Sequence, residues 1–381
     1  MILFLLIFFL LYGGLHYYIF RKAKAAFAFG IWLSSILILS MAIMIFLPVM
    51  TRFAGRYDFE SLTRLLALIG YVWMGIVLLF FTCSILIDLY RFLINGAGLL
   101  LHKDFSRIIP PARLQLVIPL LVSLGIGTYG CFEARNICTE RVTIKTPKIP
   151  REINTLKIAQ ISDIHIGMII REDRLRKILW EVKKSNPDIL VSTGDLVDEQ
   201  INNLEGCKEL LRKLTPRYGK FAITGNHEFY AGLDHALPFI ENAGFRILRG
   251  EGITAAGLIN IAGVDDPIGK RLGLMKEVSE QWLISRLPRE KFTLLLKHQP
   301  RVERNALGLF DLQLSGHTHK GQFFPFSIIT HFIYPADSGL AHLPNSSHLY
   351  VSRGAGTWGP PIRFLSPPEI TLIELVHEDG Q

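Results

Sequence analysis

The first third of the chain consists of long apolar stretches separated by short charged segments. A helix needs roughly 20 apolar residues to cross the hydrocarbon core of a membrane. Four uncharged stretches meet that length, and together they predict an all-α transmembrane region over residues 1–135 with about four helices: 1–20, 25–51, 65–87 and 114–132. A cleaved signal peptide is the alternative for residues 1–20, but its basic residues follow the stretch instead of preceding it. Residues 92–101 are interpreted as an interfacial segment or a loop.

From residue 156 the pattern changes to short apolar runs that alternate with amphipathic segments. The runs are typical of buried strands and the amphipathic segments of helices, which predicts a layered α/β domain over residues 156–381. The predicted strands are 156–161, 188–192, 221–223, 292–296 and 312–314, and the predicted helices are 173–184 and 204–214. Residues 136–155 are polar and contain Pro147 and Pro150, so they are predicted to be a linker.

The charged residues are distributed unevenly between these two regions. The chain has 41 Lys and Arg and 33 Asp and Glu, of which 11 and 5 fall in residues 1–135. The remaining 30 basic and 28 acidic residues leave residues 136–381 close to neutral, which argues against nucleic acid as a partner. The chain as a whole is 50% hydrophobic and 19% charged, and this argues against an ordinary soluble enzyme.

Basic residues beside the apolar stretches predict an orientation. Arg21, Lys22 and Lys24 follow the first stretch, which favours a cytoplasmic first loop and, after four crossings, an extracytoplasmic α/β domain. The other loops agree with this orientation only in part. The expected localisation is the cell (inner, cytoplasmic) membrane, with several passes. Cys131 and Cys138 would form a disulfide or stay thiols there, and the sequence leaves both open.

Five predicted strands end in clusters of residues that can bind metals. The clusters supply Asp163, His165, Asp195, Asn226, His227, His298, His317 and His319. In α/β domains ligands gather beyond the strand ends, and oxygen and imidazole donors suit Mn, Fe, Zn or Mg. Seven or eight donors are too many for one ion. The sequence therefore predicts two divalent metal ions that share a carboxylate, an arrangement that activates water and clamps the oxygens of a phosphoryl group.

The ordered clusters resemble the motif set of calcineurin-like metallophosphoesterases, and the resemblance covers about residues 156–375. The motifs are Asp163-x-His165, Gly194-Asp195, Gly225-Asn226-His227-Glu228, His298 and Gly316-His317-x-His319. The resemblance implies an α/β (α+β) sandwich of two mixed β-sheets flanked by helices. It also implies a metal-dependent phosphoesterase.

The resemblance further implies a role for each residue. One metal would be held by Asp163, His165 and His319, and the other by Asn226, His298 and His317, with Asp195 between them. His227 would act as the general acid or stabilise the leaving oxygen, which an imidazole can do near neutral pH. A hydroxide bridging the metals would attack phosphorus, and manganese is the expected metal.

Departures from the family pattern narrow the expected substrate. Phosphoprotein phosphatases carry an Arg after the second motif, whereas Asp198 is here followed by Glu199 and Gln200. Residues 351–356 and 367–370 are similar to a membrane-associated bacterial branch that includes UDP-diacylglucosamine pyrophosphohydrolase-like enzymes. This similarity implies cleavage of a phosphodiester or a pyrophosphate, such as a lipid-linked one. Membrane lipids are then the expected partners, with no obligate protein partner.

Three further features have two interpretations each. Arg353 would bind a substrate phosphate through its forked guanidinium, or form a salt link. Asp198 would orient a neighbouring site residue, or be solvated. The aromatic segment 322–326 would be a flap that touches lipid, or pack in the core. Two alternatives to the membrane phosphohydrolase also stay open: a nuclease or nucleotide phosphodiesterase, and a catalytically idle membrane sensor or scaffold.

Overall fold

The computed structural model describes residues 2–54, 60–199 and 203–379. The chain divides into two compact units. The N-terminal unit comprises residues 1–132 and 359–362, and the C-terminal unit comprises residues 133–358 and 363–381.

The N-terminal unit is helical throughout its main elements, as predicted. Its helices are α1 Ile2–Phe27, α2 Ile31–Ala54, α3 Glu60–Leu101 and α4 Ala112–Glu133. Within the described residues, three helical segments are long and apolar enough to cross a membrane: Ile31–Thr51, Ser61–Leu101 and Ser106–Glu133. Two of the four predicted spans, 65–87 and 114–132, fall within these segments, and a third, 25–51, overlaps Ile31–Thr51. The first predicted span, 1–20, lies in α1, and its crossing remains a prediction.

Helix α3 is longer than the sequence analysis predicted. It runs for 42 residues and includes residues 92–101, which are therefore helical and do not form a loop. Gly96 and Gly98 each cost a helix about 1 kcal/mol relative to alanine, but neither removes a backbone hydrogen bond. No proline interrupts the helix, so it continues through both glycines.

The C-terminal unit contains two six-stranded sheets. The first sheet has the order β1-β12-β2-β3-β4-β5 and the second has the order β10-β11-β9-β8-β7-β6. Both are mixed: β12 is antiparallel to β2 in the first, and β6 and β10 are antiparallel to their neighbours in the second. The strands are β1 Cys138–Thr146, β2 Thr155–Ile161, β3 Ile189–Ser192, β4 Lys220–Ala222, β5 Arg246–Ile247, β6 Glu251–Ala255, β7 Ile259–Gly263, β8 Phe292–Leu296, β9 Leu312–Ser315, β10 Gly339–His342, β11 His348–Val351 and β12 Glu369–His377.

The sheets pack against each other and against helices on their outer faces. Successive residues of a strand point to opposite faces, so Ile158 of β2 packs in the core between the sheets while Ala159 packs against helices. A third core lies on the outer face of the second sheet. The helices are α5 Glu172–Ser185, α6 Glu205–Arg212, α7 Asn226–Ala231, α8 Leu233–Asn242, α9 Ile268–Arg271, α10 Glu280–Ser285 and α11 Phe326–Ile333. This is the predicted sandwich of two mixed sheets flanked by helices.

The prediction of a linker over residues 136–155 is wrong. Strand β1 lies in that segment and pairs with β12 along nine residues, from Cys138 opposite Glu369 to Thr146 opposite His377. Ile144 and Ile149 are buried in the core between the sheets. The segment therefore forms the edge of the first sheet, and Arg141, Thr143 and Lys145 occupy its exposed face.

Candidate metal centre

The predicted metal ligands follow the carboxyl ends of five parallel strands, three in one sheet and two in the other. Strands β2, β3 and β4 are parallel neighbours, and so are β8 and β9. The first three lead into Asp163 with His165, Asp195, and Asn226 with His227; the last two lead into His298, and His317 with His319. Because the two sheets are stacked, both sets of loops meet at one end of the sandwich.

Asp163, His165 and His319 form the first group. One ligand atom from each lies within 4.8 Å of the others, and all three residues are buried. The Nε2 atoms of His165 and His319 are 3.1 Å apart, and Nε2 of His319 is 3.5 Å from Oδ1 of Asp163. These are the three residues that the family resemblance implied for one metal.

Asn226, His298 and His317 form the second group. Oδ1 of Asn226 is 3.2 Å from Nε2 of His298 and 3.0 Å from Nδ1 of His317, and the two imidazole nitrogens are 3.1 Å apart. The other ring nitrogen of His298 is 2.8 Å from the carbonyl oxygen of Thr193, to which it donates. This hydrogen bond orients the ring so that Nε2 faces the group.

The carboxylate of Asp195 lies between the two groups. Its Oδ2 is 3.2 Å from Nε2 of His298 and 3.9 Å from Nε2 of His165. Burial opposes ionisation of Asp195, but the facing imidazoles of His298 and His227 outweigh it and hold the pKa of Asp195 well below its usual value. An ionised carboxylate is thus available to both groups, as a shared ligand requires.

Five of the predicted ligands have a strained backbone. Asp163, His165, Asp195, His317 and His319 all have φ between 47° and 72°. Residues other than glycine seldom adopt this left-handed region, and such strain clusters at functional sites. The turns are also tight: a Cβ on Gly225 would lie 2.2 Å from Oδ1 of Asp195, so no larger residue fits there.

The donor set fits divalent cations. Asp163 and Asp195 are buried, and within the described residues no lysine or arginine forms an ion pair with either. Buried carboxylates need a compensating cation. Burial also lowers the pKa of His165 to about 3 and that of His317 to about 4, so both rings are neutral and offer lone pairs. Nitrogen and oxygen donors without cysteine suit ions of borderline or hard character.

His227 lies beside the two groups and is oriented by Asp198. Its Nδ1 is 2.9 Å from Oδ1 of Asp198, and its ring is 4.5 Å from the ring of His165. Burial alone would lower the pKa of His227, but the charge of Asp195 and the hydrogen bond to Asp198 raise it to about 9. Asp198 therefore has the orienting contact that the sequence analysis left open, and Nε2 of His227 takes no part in it.

Glu228, the last residue of the Gly225-Asn226-His227-Glu228 motif, has a structural role that was not predicted from the sequence. Its buried carboxylate accepts four backbone N–H groups, from Asp195, Leu196, Val197 and Gly225, at 2.7 to 3.2 Å. One side chain thus holds together the loops that carry Asp195 and Asn226. Its fixed place in the motif was the signal that could have identified it.

Arg363 is a second functional residue that the sequence analysis missed. Its guanidinium is fully buried, donates to the carbonyl oxygens of Arg353, Gly354, Gly356 and Ser366, and lies 3.0 Å from Nδ1 of His319. Arginine has only donors, so Nδ1 of His319 accepts this hydrogen bond. Burial and the charge of Arg363 hold the pKa of His319 well below its usual value, so the ring is neutral. No local pattern marks Arg363, because its partners come from other turns.

Arg353 is not brought to the predicted ligands. Its guanidinium pairs with Glu369 at 2.6 Å and with Glu140, and it lines a cleft of about 450 Å³ beside Tyr350. None of the predicted metal ligands is among the described residues that line this cleft. The salt link is the interpretation that these contacts match, because β1 and β12 place two carboxylates at this arginine.

The two cysteines near the end of α4 do not form a disulfide within the described residues. Sγ of Cys138 is instead 3.3 Å from the carbonyl oxygen of Pro368, to which the thiol donates. Cys138 lies at the start of β1, where pairing with β12 fixes its position.

Comparisons with known proteins agree on one family. Residues 156–321 match the family model described as calcineurin-like phosphoesterase. The chain is 41% identical over 257 residues to an uncharacterized metallophosphoesterase of Aquifex aeolicus, an alignment that covers 67% of this chain and 98% of that protein.

A second relative carries both regions. The chain is 31% identical over 332 residues to a transmembrane protein with metallophosphoesterase domain from Danio rerio, covering 81% of this chain and 74% of that protein. The domain that begins at residue 156 is shorter than this alignment, so the similarity extends into the residues before it. Among solved structures, a 5'-nucleotidase precursor from Thermus thermophilus is 17% identical with a TM-score of 0.34, covering 58% of this chain and 54% of that one.

Proposed function

The chain belongs to the calcineurin-like metallophosphoesterase family, and on that premise we propose that it cleaves a phosphodiester or pyrophosphate carried on a membrane lipid. It is a metal-dependent phosphoesterase, and its apolar N-terminal helices and its transmembrane relative associate it with a membrane. The substrate, the metal and the sidedness are the parts that we propose.

The observation that carries this function is the convergence of six predicted ligands from two sheets around the carboxylate of Asp195, which is the seventh. Asp163, His165 and His319 would hold one divalent ion, and Asn226, His298 and His317 the other. We propose manganese, which this donor set suits. Divalent ions supply Lewis acidity when bound, which activates water and offsets the charge of phosphoryl oxygens.

The protein's own residues supply orientation and a proton. Asp198 fixes the ring of His227 through Nδ1, so Nε2 can donate a proton to the oxygen that leaves phosphorus. Oδ1 of Asp195 accepts the backbone N–H of His227 at 2.8 Å, which ties this ring to the shared ligand. The alkoxide that leaves from an alkyl phosphodiester would take up such a proton.

A lipid-borne substrate is supported by the membrane association and by the rim of the site. Tyr230 and Trp358 are exposed, and their rings lie 5.6 and 6.3 Å from that of His227. Exposed aromatic rings beside a charged centre suit a ligand with a charged head and an apolar body. We propose a location in the cell membrane with the domain on the extracytoplasmic side, which an activity reporter fused at the C-terminus would test.

Purified full-length protein in detergent, supplied with Mn²⁺, tests the hydrolase. We expect hydrolysis of bis-p-nitrophenyl phosphate that is lost in Asp195→Ala. His227→Ala should retain bound metal and lose turnover, because its ring would serve the proton and not the ions.

His235→Ala is the matched control, because His235 is an exposed histidine that pairs with Asp234 outside the centre. It should leave turnover and bound metal unchanged. Hydrolysis that persists in Asp195→Ala, or equal losses in His227→Ala and His235→Ala, would contradict the assignment. The substrate class is tested by comparing the rate of hydrolysis of an aryl phosphodiester carried on a lipid with the rate for the soluble ester.

A further inference from the structure

Helix α11 exposes an unusually apolar surface on the C-terminal unit. Its sequence is Phe-Ser-Ile-Ile-Thr-His-Phe-Ile, and none of its residues is buried. The side chain of Phe332 is 81% exposed, and four other apolar residues of the helix are exposed as well: Phe326, Ile328, Ile329 and Ile333. A contiguous apolar surface of this kind marks an interaction site in a folded protein.

The fold holds α11 firmly despite this exposure. A Cβ on Gly321 would lie 2.3 Å from the backbone of Ser327, so the helix packs directly on the turn His319–Gly321. Phe323, just before the helix, is buried and packs edge-on against Phe326 at 5.5 Å. The aromatic segment 322–326 is thus partly core, as one interpretation had it, and it anchors an exposed helix.

The position of α11 connects it to the metal centre. The turn beneath it carries His319, and Tyr334 directly after it lies 5.8 Å from the ring of His317. The hydroxyl of Tyr334 donates to Gln299 at 3.3 Å. Whatever binds the exposed face of α11 is therefore next to the site.

Charge around α11 favours an anionic partner. Arg301 lies 5.8 Å from the ring of Tyr334, and Lys320 is in the turn beneath the helix. Neither forms an ion pair with a carboxylate in the described part of the chain, and Asp337 pairs with His331 of the helix. Two such cations beside an apolar helix are the pattern of a segment that binds an anionic lipid surface.

We propose that α11 is an interfacial helix whose exposed face inserts into the surface of a lipid bilayer. The occupant is a lipid surface because the same chain carries helices that are long and apolar enough to cross a membrane, so the C-terminal unit is tethered to lipid through them. Phe332, Ile329 and Ile333 enter the acyl boundary, and Arg301 and Lys320 face the phosphates of the headgroups. The inference deepens the proposed function and rests on it for the substrate, since it places the metal centre at the height of a lipid headgroup.

A fluorescent residue with an environment-sensitive emission, introduced at position 332 of the full-length protein, tests the contact. The protein is placed in nanodiscs of anionic lipid with or without brominated acyl chains. We expect the label at 332 to emit at a shorter wavelength than the same label does in water. We also expect the brominated lipid to reduce its emission several-fold. The matched control is the same label in place of Trp180, an apolar residue of α5 that is 66% exposed.

Each outcome decides the question independently of activity. Equal quenching at 332 and 180 would overturn the proposal. A shift to shorter wavelength at 332 without quenching would overturn it as well, because the face would then be covered by protein, such as a second copy of the chain. Quenching in a protein that hydrolyses no phosphoester would support the lipid contact and refute the proposed function alone.

A kinetic measurement tests the link to the site. We expect Phe332→Ser with Ile329→Ser to raise the KM for an aryl phosphodiester borne on a bilayer lipid by about tenfold, with kcat for the soluble ester unchanged. Trp180→Ser should change neither value. Equal loss on the two substrates would show that α11 supports the fold of the site and does not bind lipid.

Discussion

Single residues around the metal centre act mainly by fixing its geometry. Asp198 contacts the ring of His227 at Nδ1, Glu228 binds four backbone N–H groups of two ligand loops, and Arg363 binds His319 and four carbonyl oxygens. None of the three has a direct contact with a substrate in the proposed mechanism. Replacing one of them should therefore change the orientation of the predicted metal ligands or of His227, and should not remove a direct contact with the substrate.

Asp198→Asn is expected to lower turnover without removing metal. The amide keeps the shape of the carboxylate but loses the charge that favours protonated His227, so kcat for bis-p-nitrophenyl phosphate should fall by about 10–100-fold. Steady-state kinetics and metal content, measured on the same sample, check this. Asp234→Asn is the control, because Asp234 forms a similar pair with His235 at the surface. Equal effects in both variants, or loss of metal in Asp198→Asn, would be evidence against an orienting role.

Lys220 gives a prediction about pH and stability. Its buried ammonium donates to the carbonyl oxygens of Leu211 and Ala243, and burial lowers its pKa from 10.5 to about 8. The folded protein therefore releases this proton before the unfolded chain does. The cost of burying the charge is fully present below pH 8 and disappears as pH rises from 8 to 10.5.

The stability of the wild type relative to Lys220→Met should accordingly increase between pH 8 and 10.5. Thermal unfolding in detergent at several pH values measures it, and other titrating groups cancel because both proteins contain them. A difference that stays constant over this range would refute the assignment.

The residues of the two groups could be predicted from the sequence because each follows a strand in a fixed motif. His298 and Asn226 could be placed through the ordered set. Arg363 could not be, because its partners are backbone carbonyls of turns that have no pattern of their own. Arg353 was a candidate for binding a substrate phosphate because of its forked guanidinium. In the structure, two carboxylates of neighbouring strands pair with it instead.

At the scale of elements, five strands and two amphipathic helices were predictable, whereas the edge strands and the interior strands β7, β11 and β12 were missed. Strands β3 and β8 are mostly apolar runs, and helix α5 buries Leu175, Ile178, Leu179 and Val182 at helical spacing. Strand β1 was missed because it is an edge strand with one exposed face, so its apolar positions alternate with charged ones. Pro147 and Pro150 then made the segment resemble a linker.

Ile144→Asp tests the place of β1 in the fold. Ile144 is buried between the sheets, whereas its neighbour Lys145 points outward and pairs with Glu378. A charge at 144 should destabilise the C-terminal unit by about 3 kcal/mol, and Lys145→Asp should have little effect. Thermal unfolding measures both. Similar unfolding temperatures for the two variants would mean that the segment is a linker after all.

At the scale of the whole molecule, membrane helices and a hydrolase domain share one chain. Both regions were predictable because hydropathy marks one and ordered motifs mark the other. The number of spans was less predictable. Helix α3 alone is about 63 Å long at 1.5 Å per residue, which exceeds a hydrocarbon core of about 30 Å. The apolar pattern did not indicate where that helix begins and ends.

Removal of metal should affect both activity and stability. A chelator such as EDTA is expected to abolish hydrolysis and to lower the temperature of unfolding, because Asp163 and Asp195 would be left buried without a cation. Added Mn²⁺ should restore both properties. Hydrolysis at full rate in protein shown by elemental analysis to lack divalent metal would rule out the proposed mechanism.

The ligands come from two separate sheets, β2, β3 and β4 on one side and β8 and β9 on the other, and this has a consequence for variants far from the centre. Cations bound there would cross-link the two layers. A substitution that loosens the packing between the layers would therefore first raise the concentration of divalent metal ion needed for half-maximal activity. The rate of catalysis at saturating metal ion would stay normal. At a limiting concentration of metal ion, such a variant would lose activity as an active-site variant does, although every catalytic side chain remained intact.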